Sequence, residues 1–216
     1  MLQTSRGQAI EDASMRIIED EIGDHAYGAE EWPVVRRVIH ATADFDFAGA
    51  NRMLFHGDAV RSGMEALRGG KAIITDVNGV IGGLNKQNPR DFGNDVICNI
   101  SNPEVATVAK ERSLTRSQAA MRAAAPHMDG GVVAIGNAPT ALREVLAMAE
   151  EWVARPALII GMPVGFVDAA ESKERLAGQD DIPYITNIGR KGGSPTASAI
   201  VNALYKMIRD ARDAVV

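Results

Sequence analysis

From Lys71 onward the chain alternates short apolar runs with longer amphipathic stretches, and this rhythm restricts it to very few folds. The runs cover 72–75, 96–100, 132–135, 158–160 and 184–186, each the length of a buried strand. Helical patterns fall near 53–68 and, between and after the runs, near 104–125, 140–154, 169–177 and 196–214. A β-then-α order of this kind predicts an α/β fold with a mostly parallel sheet of five strands, or slightly more, and helices on both faces. Ahead of it, Ile10, Ala13, Ile17, Ile18 and Ile22 recur at helical spacing up to Gly23, and Val34, Val35, Val38 and Ile39 repeat the pattern after Pro33. These two helices form an N-terminal arm packed outside the sheet. The length, 216 residues, suits one domain spanning 1–216.

Composition sets the outer bounds. Apolar residues at 46% and charged residues at 24% are globular values and exclude a disordered or collagen-like chain. Lysine and arginine number 23 against 28 acids, a net charge of −5, so no overall positive field exists to hold nucleic acid or anionic lipid. The single cysteine, Cys98, can make neither an intrachain disulfide nor a thiolate cluster, and its apolar neighbours predict a buried thiol in a reducing cytoplasm. No apolar run approaches the ~18 residues that cross a bilayer, and residues 1–7 lack the pattern of a secretory signal. The expectation is a cytoplasmic protein with no membrane partner.

In a parallel sheet the loops after the strands collect ligand chemistry, because each following helix begins there with unpaired N–H groups. Three such loops contain glycine: Gly136-Asn137-Ala138-Pro139-Thr140, Gly161-Met162-Pro163-Val164-Gly165-Phe166 and Gly189-Arg190-Lys191-Gly192-Gly193-Ser194. The last joins two cations to glycines that let backbone N–H groups approach a ligand, which describes an anion cradle; the alternative is an ordinary solvated turn. The N–H groups ahead of the helix after Gly136 are expected to face the same crevice. None of these is a G-x-x-x-x-G-K-[ST] phosphate loop, and 79–83 lacks the G-x-G-x-x-G spacing of a dinucleotide site. Ser194 lies outside a G-x-S-x-G elbow and reads as a helix cap.

Among four histidines, His40 stands out, because an apolar helix runs through it into Asp44 and Asp46. Its imidazole titrates near working pH, and neighbouring carboxylates would raise its basicity; a hydrogen-bonded core histidine is the plainer alternative. His25 and His56 read as loop or helix-surface residues and His127 as a helix end. No histidine pair has helical zinc spacing, so no metal is expected. Asp76-Val77-Asn78-Gly79-Val80 is similar to the D-x-D-G-[TV] loop of haloacid-dehalogenase-type phosphatases, but Asn78 stands where the second acid is needed. A β-turn capped by Asp76 is the competing reading.

Taken together, residues 38–45 around His40, 134–142 (A-I-G-N-A-P-T-A-L), 161–173 (G-M-P-V-G-F-V-D-A-A-E-S-K) and 189–194 (G-R-K-G-G-S) resemble the precorrin-8X methylmutase family of cobalamin biosynthesis. The resemblance spans nearly the whole chain. It implies a homodimeric isomerase, needing no redox cofactor, that moves a methyl group from C11 to C12 of a corrinoid precursor to give hydrogenobyrinate or its cobalt form. It implies that His40 donates and recovers a proton, and that Ser14, Arg116 and, with less force, Asp76 bind substrate. Arg116, Arg190 and Lys191, with the helix starts after Gly136 and Gly165, would hold the carboxylate arms, and apolar residues of 162–166 would cover the ring. The chain departs from the family at Gly79, where a bulky residue, often methionine, is usual. A corrinoid carrier without turnover and the phosphatase reading are the alternatives.

Overall fold

The computed structural model describes residues 4–213. Strands β1 (Met53–His56), β2 (Ile73–Thr75), β3 (Val96–Ile97), β4 (Val132–Ile135), β5 (Leu158–Gly161) and β6 (Tyr184–Asn187) form one sheet in the order β1-β6-β5-β4-β2-β3. All neighbours are parallel except β1, which pairs antiparallel with β6 from Met53↔Asn187 to His56↔Tyr184. The mostly parallel sheet is therefore six-stranded, one strand more than the five apolar runs.

Side-chain alternation along the strands separates two cores. Ile73, Val132, Ala134, Leu158, Ile160 and Ile185 face one core, shared with α1 (Ser5–Ile22), α2 (Trp32–Thr42), α3 (Ala59–Arg68) and α10 (Ser194–Asp213). Ile74, Val133, Ile135, Ile159 and Tyr184 face the other, shared with α6 (Pro103–Glu111), α7 (Arg116–Ala124), α8 (Pro139–Glu150) and α9 (Ala169–Ala177). Four consecutive buried positions in β4 and again in β5 explain their unbroken apolar runs: both faces are covered. Each fully buried large aliphatic contributes about 1.5–3 kcal/mol.

Several boundaries differ from the sequence reading. Residues 53–68 are not one helix: the first four form β1, Gly57 turns the chain at φ +58°, and α3 begins only at Ala59. Of Met, Leu, Phe and His only Phe55 favours a strand, too little signal over four residues, so the antiparallel pairing with β6 decides. The helix expected over 104–125 is two, because Ser113 adopts φ +53° and Thr115 with Gln118 forms a capping box that starts α7 afresh. The helix expected over 140–154 closes at Glu150, just before Trp152 at φ +58°. Strand pairing stops at Ile97 rather than 100, and Cys98 beyond it is half-buried, not buried. The expected end of the last helix at Ala214 lies outside the described residues. Two short helices, α4 (Asn78–Gly83) and α5 (Gln87–Phe92), were not anticipated; three glycines in α4 hide its helicity from any propensity scale.

Helix α1 starts with the Thr4 side chain accepting from Gly7 N–H at 3.1 Å and ends at Gly23 (φ +60°), as the periodicity required. Helix α10 crosses α2, α3 and α4 and is anchored by the fully buried Tyr205, whose hydroxyl donates to Asn94 Oδ1 at 2.6 Å. The Asn94 amide in turn donates to the carbonyls of Leu67 and Lys71. Removing only the hydroxyl, Tyr205→Phe, leaves a buried acceptor unmade and should cost about 1–3 kcal/mol. A shift of the urea midpoint at constant m-value measures it, and an unchanged midpoint contradicts this account of the anchor.

Candidate functional site

Strands β6, β5, β4 and β2 are adjacent and parallel, so their C-terminal ends share one edge. The chain leaves β2 to one side for β3 and to the other for β4, β5 and β6, and such a switch point opens a crevice where α/β folds hold ligands. Here Asp76, the residue after β2, fills it. Asp76 is fully buried, and its carboxylate accepts from the N–H groups of Gly136 (2.8 Å), Asn137 (2.9 Å) and Ala138 (2.7 Å). Burial pushes its carboxyl above the ordinary carboxylate range, and the three N–H groups oppose that shift without cancelling it.

This arrangement bears on four sequence readings. Asp76 is neither a turn cap nor a free nucleophile, and the phosphatase reading has no reactive carboxylate left to stand on. The substrate-binding role that the resemblance implies for Asp76 meets a side chain buried from solvent and bonded to three N–H groups. The N–H groups after Gly136 do not face the crevice as ligand donors, because Asp76 already engages them. Gly136 itself admits no side chain: a Cβ there would lie 2.8 Å from the Ser194 backbone. Pro139 and Thr140 open α8, and the Thr115 hydroxyl donates to Thr140 Oγ1 at 3.2 Å. That bond sets the start of α7, and therefore Arg116, beside the start of α8. Arg116 is exposed.

His40 and Ser14 come together. His40 occupies the last turn of α2, Ser14 the middle of α1, and Ser14 Oγ lies 2.9 Å from His40 Nδ1. Next to them Arg37 pairs with Glu11 at 2.6 Å. An open groove of about 460 Å³ runs past Arg37, His40, Gly79, Ser194, Ser198 and Asn202. Partial burial, reinforced by the Arg37 cation and only partly offset by Glu11, lowers the His40 pKa below the usual histidine value. The anticipated rise from Asp44 and Asp46 does not occur, because both carboxylates bind Lys191 Nζ, at 2.7 and 2.6 Å. A second groove, about 570 Å³, shares Arg37 with the first. Four cations line it: Arg36, Arg37 and Lys206, each paired with an acid, Glu19, Glu11 and Asp210, and Arg16.

Gly79 faces the groove where α4 crosses α10. A Cβ at Gly79 would meet Ser194 Oγ at 2.8 Å, and one at Gly83, a turn later, Ser198 Oγ at 2.3 Å. The departure from a bulky residue therefore accompanies a close helix crossing.

The two remaining loops interlock. Gly193 N–H donates to the Met162 carbonyl at 2.9 Å and Gly165 N–H to the Arg190 carbonyl at 3.3 Å. Gly192 passes so close that a Cβ would lie 2.5 Å from the Met162 carbonyl and 2.6 Å from that of Pro163. Arg143 of α8 grips Asp168 through two hydrogen bonds and so closes the 162–168 loop. Met162 and Pro163 are buried and cannot cover a ligand, whereas Val164 and, at 86% exposure, Phe166 can. Arg190 is exposed, with its guanidinium 5.9 Å from the Phe166 ring. Lys191 is not a free cation: its ammonium spans Asp44 and Asp46, which raise its pKa. It ties the cradle to the chain just beyond His40.

The sequence reading passed over Lys173. Its Nζ, in a side chain that is 1% exposed, donates to the Lys191 carbonyl at 2.6 Å and to Asn187 Oδ1 at 3.1 Å. The signal was available, since helical spacing puts Lys173 on the same face as Ala169 and Leu176, yet a helical lysine is ordinarily assigned to solvent.

A family model described as Precorrin-8X methylmutase (CbiC) matches residues 9–207. A cobalt-precorrin-8 methylmutase of Priestia megaterium is 47% identical over 201 residues, 93% of this chain and 88% of the relative. A precorrin-8X methylmutase of Pseudomonas aeruginosa is 41% identical over 92% of this chain and 94% of its own length. The solved structure of a precorrin-8X methyl mutase from Thermus thermophilus superposes with a TM-score of 0.86 at 42% identity, covering 95% of this chain and 98% of that one.

Asp76→Ala strips three N–H groups of their acceptor and should lower stability by about 2–5 kcal/mol, less than the summed bonds because a desolvated carboxylate is also removed. Chemical denaturation followed by circular dichroism measures the loss. A cost under about 1 kcal/mol is incompatible with a structural role of this size.

Proposed function

The chain belongs to the precorrin-8X methylmutase family, and from that premise we propose that it isomerises precorrin-8X, or its cobalt complex. The methyl group on C11 migrates to C12 of the corrinoid ring. The product is hydrogenobyrinate, or cobyrinate where cobalt is present. The observation that carries the reading at the level of chemistry is the Ser14–His40 pair on the groove, next to loops that display Arg190 at the strand-end edge.

The proposed mechanism assigns His40 the proton. With Nδ1 held by Ser14 Oγ, Nε2 is the nitrogen left for substrate. In the imidazolium form, Nδ1–H donates to Ser14 Oγ and Nε2–H is given to the macrocycle. Protonation withdraws electron density from the ring and lowers the barrier to a 1,5-shift, in which the methyl group moves with its bonding pair from C11 to C12. Return of a ring proton to Nε2 completes an isomerisation with no net gain or loss of atoms.

Substrate arrives with several acetate and propionate arms. A protein of net charge −5 meets them with local donors: Arg190 and Arg116, each worth about 1.5–3 kcal/mol per charge-assisted hydrogen bond. Phe166 and Val164 supply apolar surface for the ring. Lys191, neutralised by Asp44 and Asp46, acts in this scheme as a strut. As the family resemblance implies, we take the working form to be a homodimer of this single domain, acting in the cytoplasm. Light scattering should return twice the 23.0 kDa chain mass; a monomeric mass at working concentration removes the dimer from the proposal.

The primary test is optical. At substoichiometric protein the absorption spectrum of precorrin-8X should convert completely to that of hydrogenobyrinate; conversion limited to one ring per chain overturns an enzymatic reading. His40→Ala should cut kcat by about 10²–10⁴-fold while product affinity stays within about threefold.

The free-enzyme pKa of His40 lies below 6.5, and the donor is the protonated form. Therefore kcat/KM should fall as pH rises through that value. Substrate carboxylates favour the imidazolium, so the corresponding limb in kcat should sit at higher pH. A kcat/KM that instead rises through this range would mean that neutral His40 starts the reaction.

A further inference from the structure

Lys173 projects from α9 into the protein beneath the 187–193 loop. A buried ammonium ordinarily requires a carboxylate, since its desolvation costs several kcal/mol, yet among the described residues no acid pairs with it. Its hydrogen-bond partners are peptide and amide oxygens: the Lys191 carbonyl at 2.6 Å and Asn187 Oδ1 at 3.1 Å. Asn187, itself 1% exposed, uses its amide to donate to the carbonyls of Ile188 (2.9 Å) and again Lys191 (3.1 Å). The Lys191 carbonyl thus receives two donors, and the turn between Asn187 and Lys191 is closed from below. Gly189 inside it adopts φ +81°. At its apex stands Arg190, exposed to solvent, with its own carbonyl held by Gly165 N–H.

The other buried residues of α9 are uncharged, Ala169, Leu176 and Ser172, whose hydroxyl donates to the Ala169 carbonyl, so a Met or Leu at 173 would fill the space without desolvating a charge. Burial lowers the Lys173 pKa to about 8, a measure of what the ammonium loses by being there. What an ammonium does that a methyl group cannot is bind two oxygens of one turn at once.

We propose that Lys173 is a positioning residue for substrate binding: through the Lys191 carbonyl and Asn187 it fixes the turn that presents Arg190 to the carboxylate arms of the tetrapyrrole. The inference rests on the methylmutase reading above and extends it to a side chain that never touches the ligand. It predicts coupling between two residues that share no direct contact, because loss of the clasp matters only while Arg190 is there to be presented.

The test uses the full chain with precorrin-8X as substrate and four proteins: wild type, Lys173→Met, Arg190→Ala and the double variant. Lys173→Met should raise KM about tenfold and leave kcat within about threefold, since binding rather than proton transfer is disturbed. In the Arg190→Ala background the same substitution should change KM by less than about twofold. A purely structural lysine would lower the thermal midpoint and the fraction of active chains, titrated with hydrogenobyrinate, without moving KM. That result, or full additivity of the two KM effects, overturns the proposal. Should Lys173→Met not fold, Asn187→Ala removes the other half of the clasp and carries the same expectation. Failure of both to fold makes the clasp a folding determinant and also counts against the positioning role. If wild type fails to convert precorrin-8X at all, the methylmutase reading falls; if it converts normally and only the KM pattern is absent, Lys173 alone is misassigned.

Discussion

A buried carboxylate bonded to three consecutive N–H groups is the constraint on which the strand-end edge depends. Asp76 lies at the switch point of the sheet, where many α/β proteins bind an external anion on a helix N-terminus. Here the anion is internal and permanent. The consequence is rigidity: the loop from β4 to α8 cannot adapt to a ligand, because its backbone donors are already engaged. The exposed side chains of this edge lie farther out, on the loops after β5 and β6 and along the groove between α2, α4 and α10.

A second buried charge completes the pattern. Asp76 and Lys173 carry opposite signs and occupy the same end of the sheet, yet among the described residues neither pairs with an ion. Peptide N–H groups solvate one and peptide and amide oxygens the other. Solvation by backbone dipoles couples each charge to loop geometry, which a salt bridge between two side chains would not do. It also leaves the exposed cations Arg190 and Arg116 unneutralised by these buried groups. The cations that are consumed, Lys191 and Arg143, each pin a loop: Lys191 to the residues after His40, Arg143 to Asp168. In a chain of net charge −5, this division between paired and exposed cations localises positive potential at the strand-end edge.

The imidazole is set by the same economy of contacts. Ser14 reaches His40 only because α1 packs on α2, and partial burial of the ring lowers its pKa below the usual histidine value.

Much of this was legible beforehand. The strand-and-helix rhythm, the gathering of three glycine-bearing loops at one edge, and the position of His40 at a helix end follow from periodicity and chain order, which act over a few residues and need no knowledge of partners. The same local logic failed at 53–56, where four residues of which only Phe55 favours a strand are recruited by β6, and at 104–125, where one left-handed serine divides a helix. What only the tertiary structure decided is which groups bond across long separations. Asp76 finds Gly136 60 residues away, and Lys191 finds Asp44 147 away. Those choices turned an apparent ligand acid into a loop anchor, an apparent ligand lysine into a strut, and an unremarked lysine into a buried clasp. Each depends on strand order and on desolvation, quantities that belong to the packed sheet and not to any segment of chain.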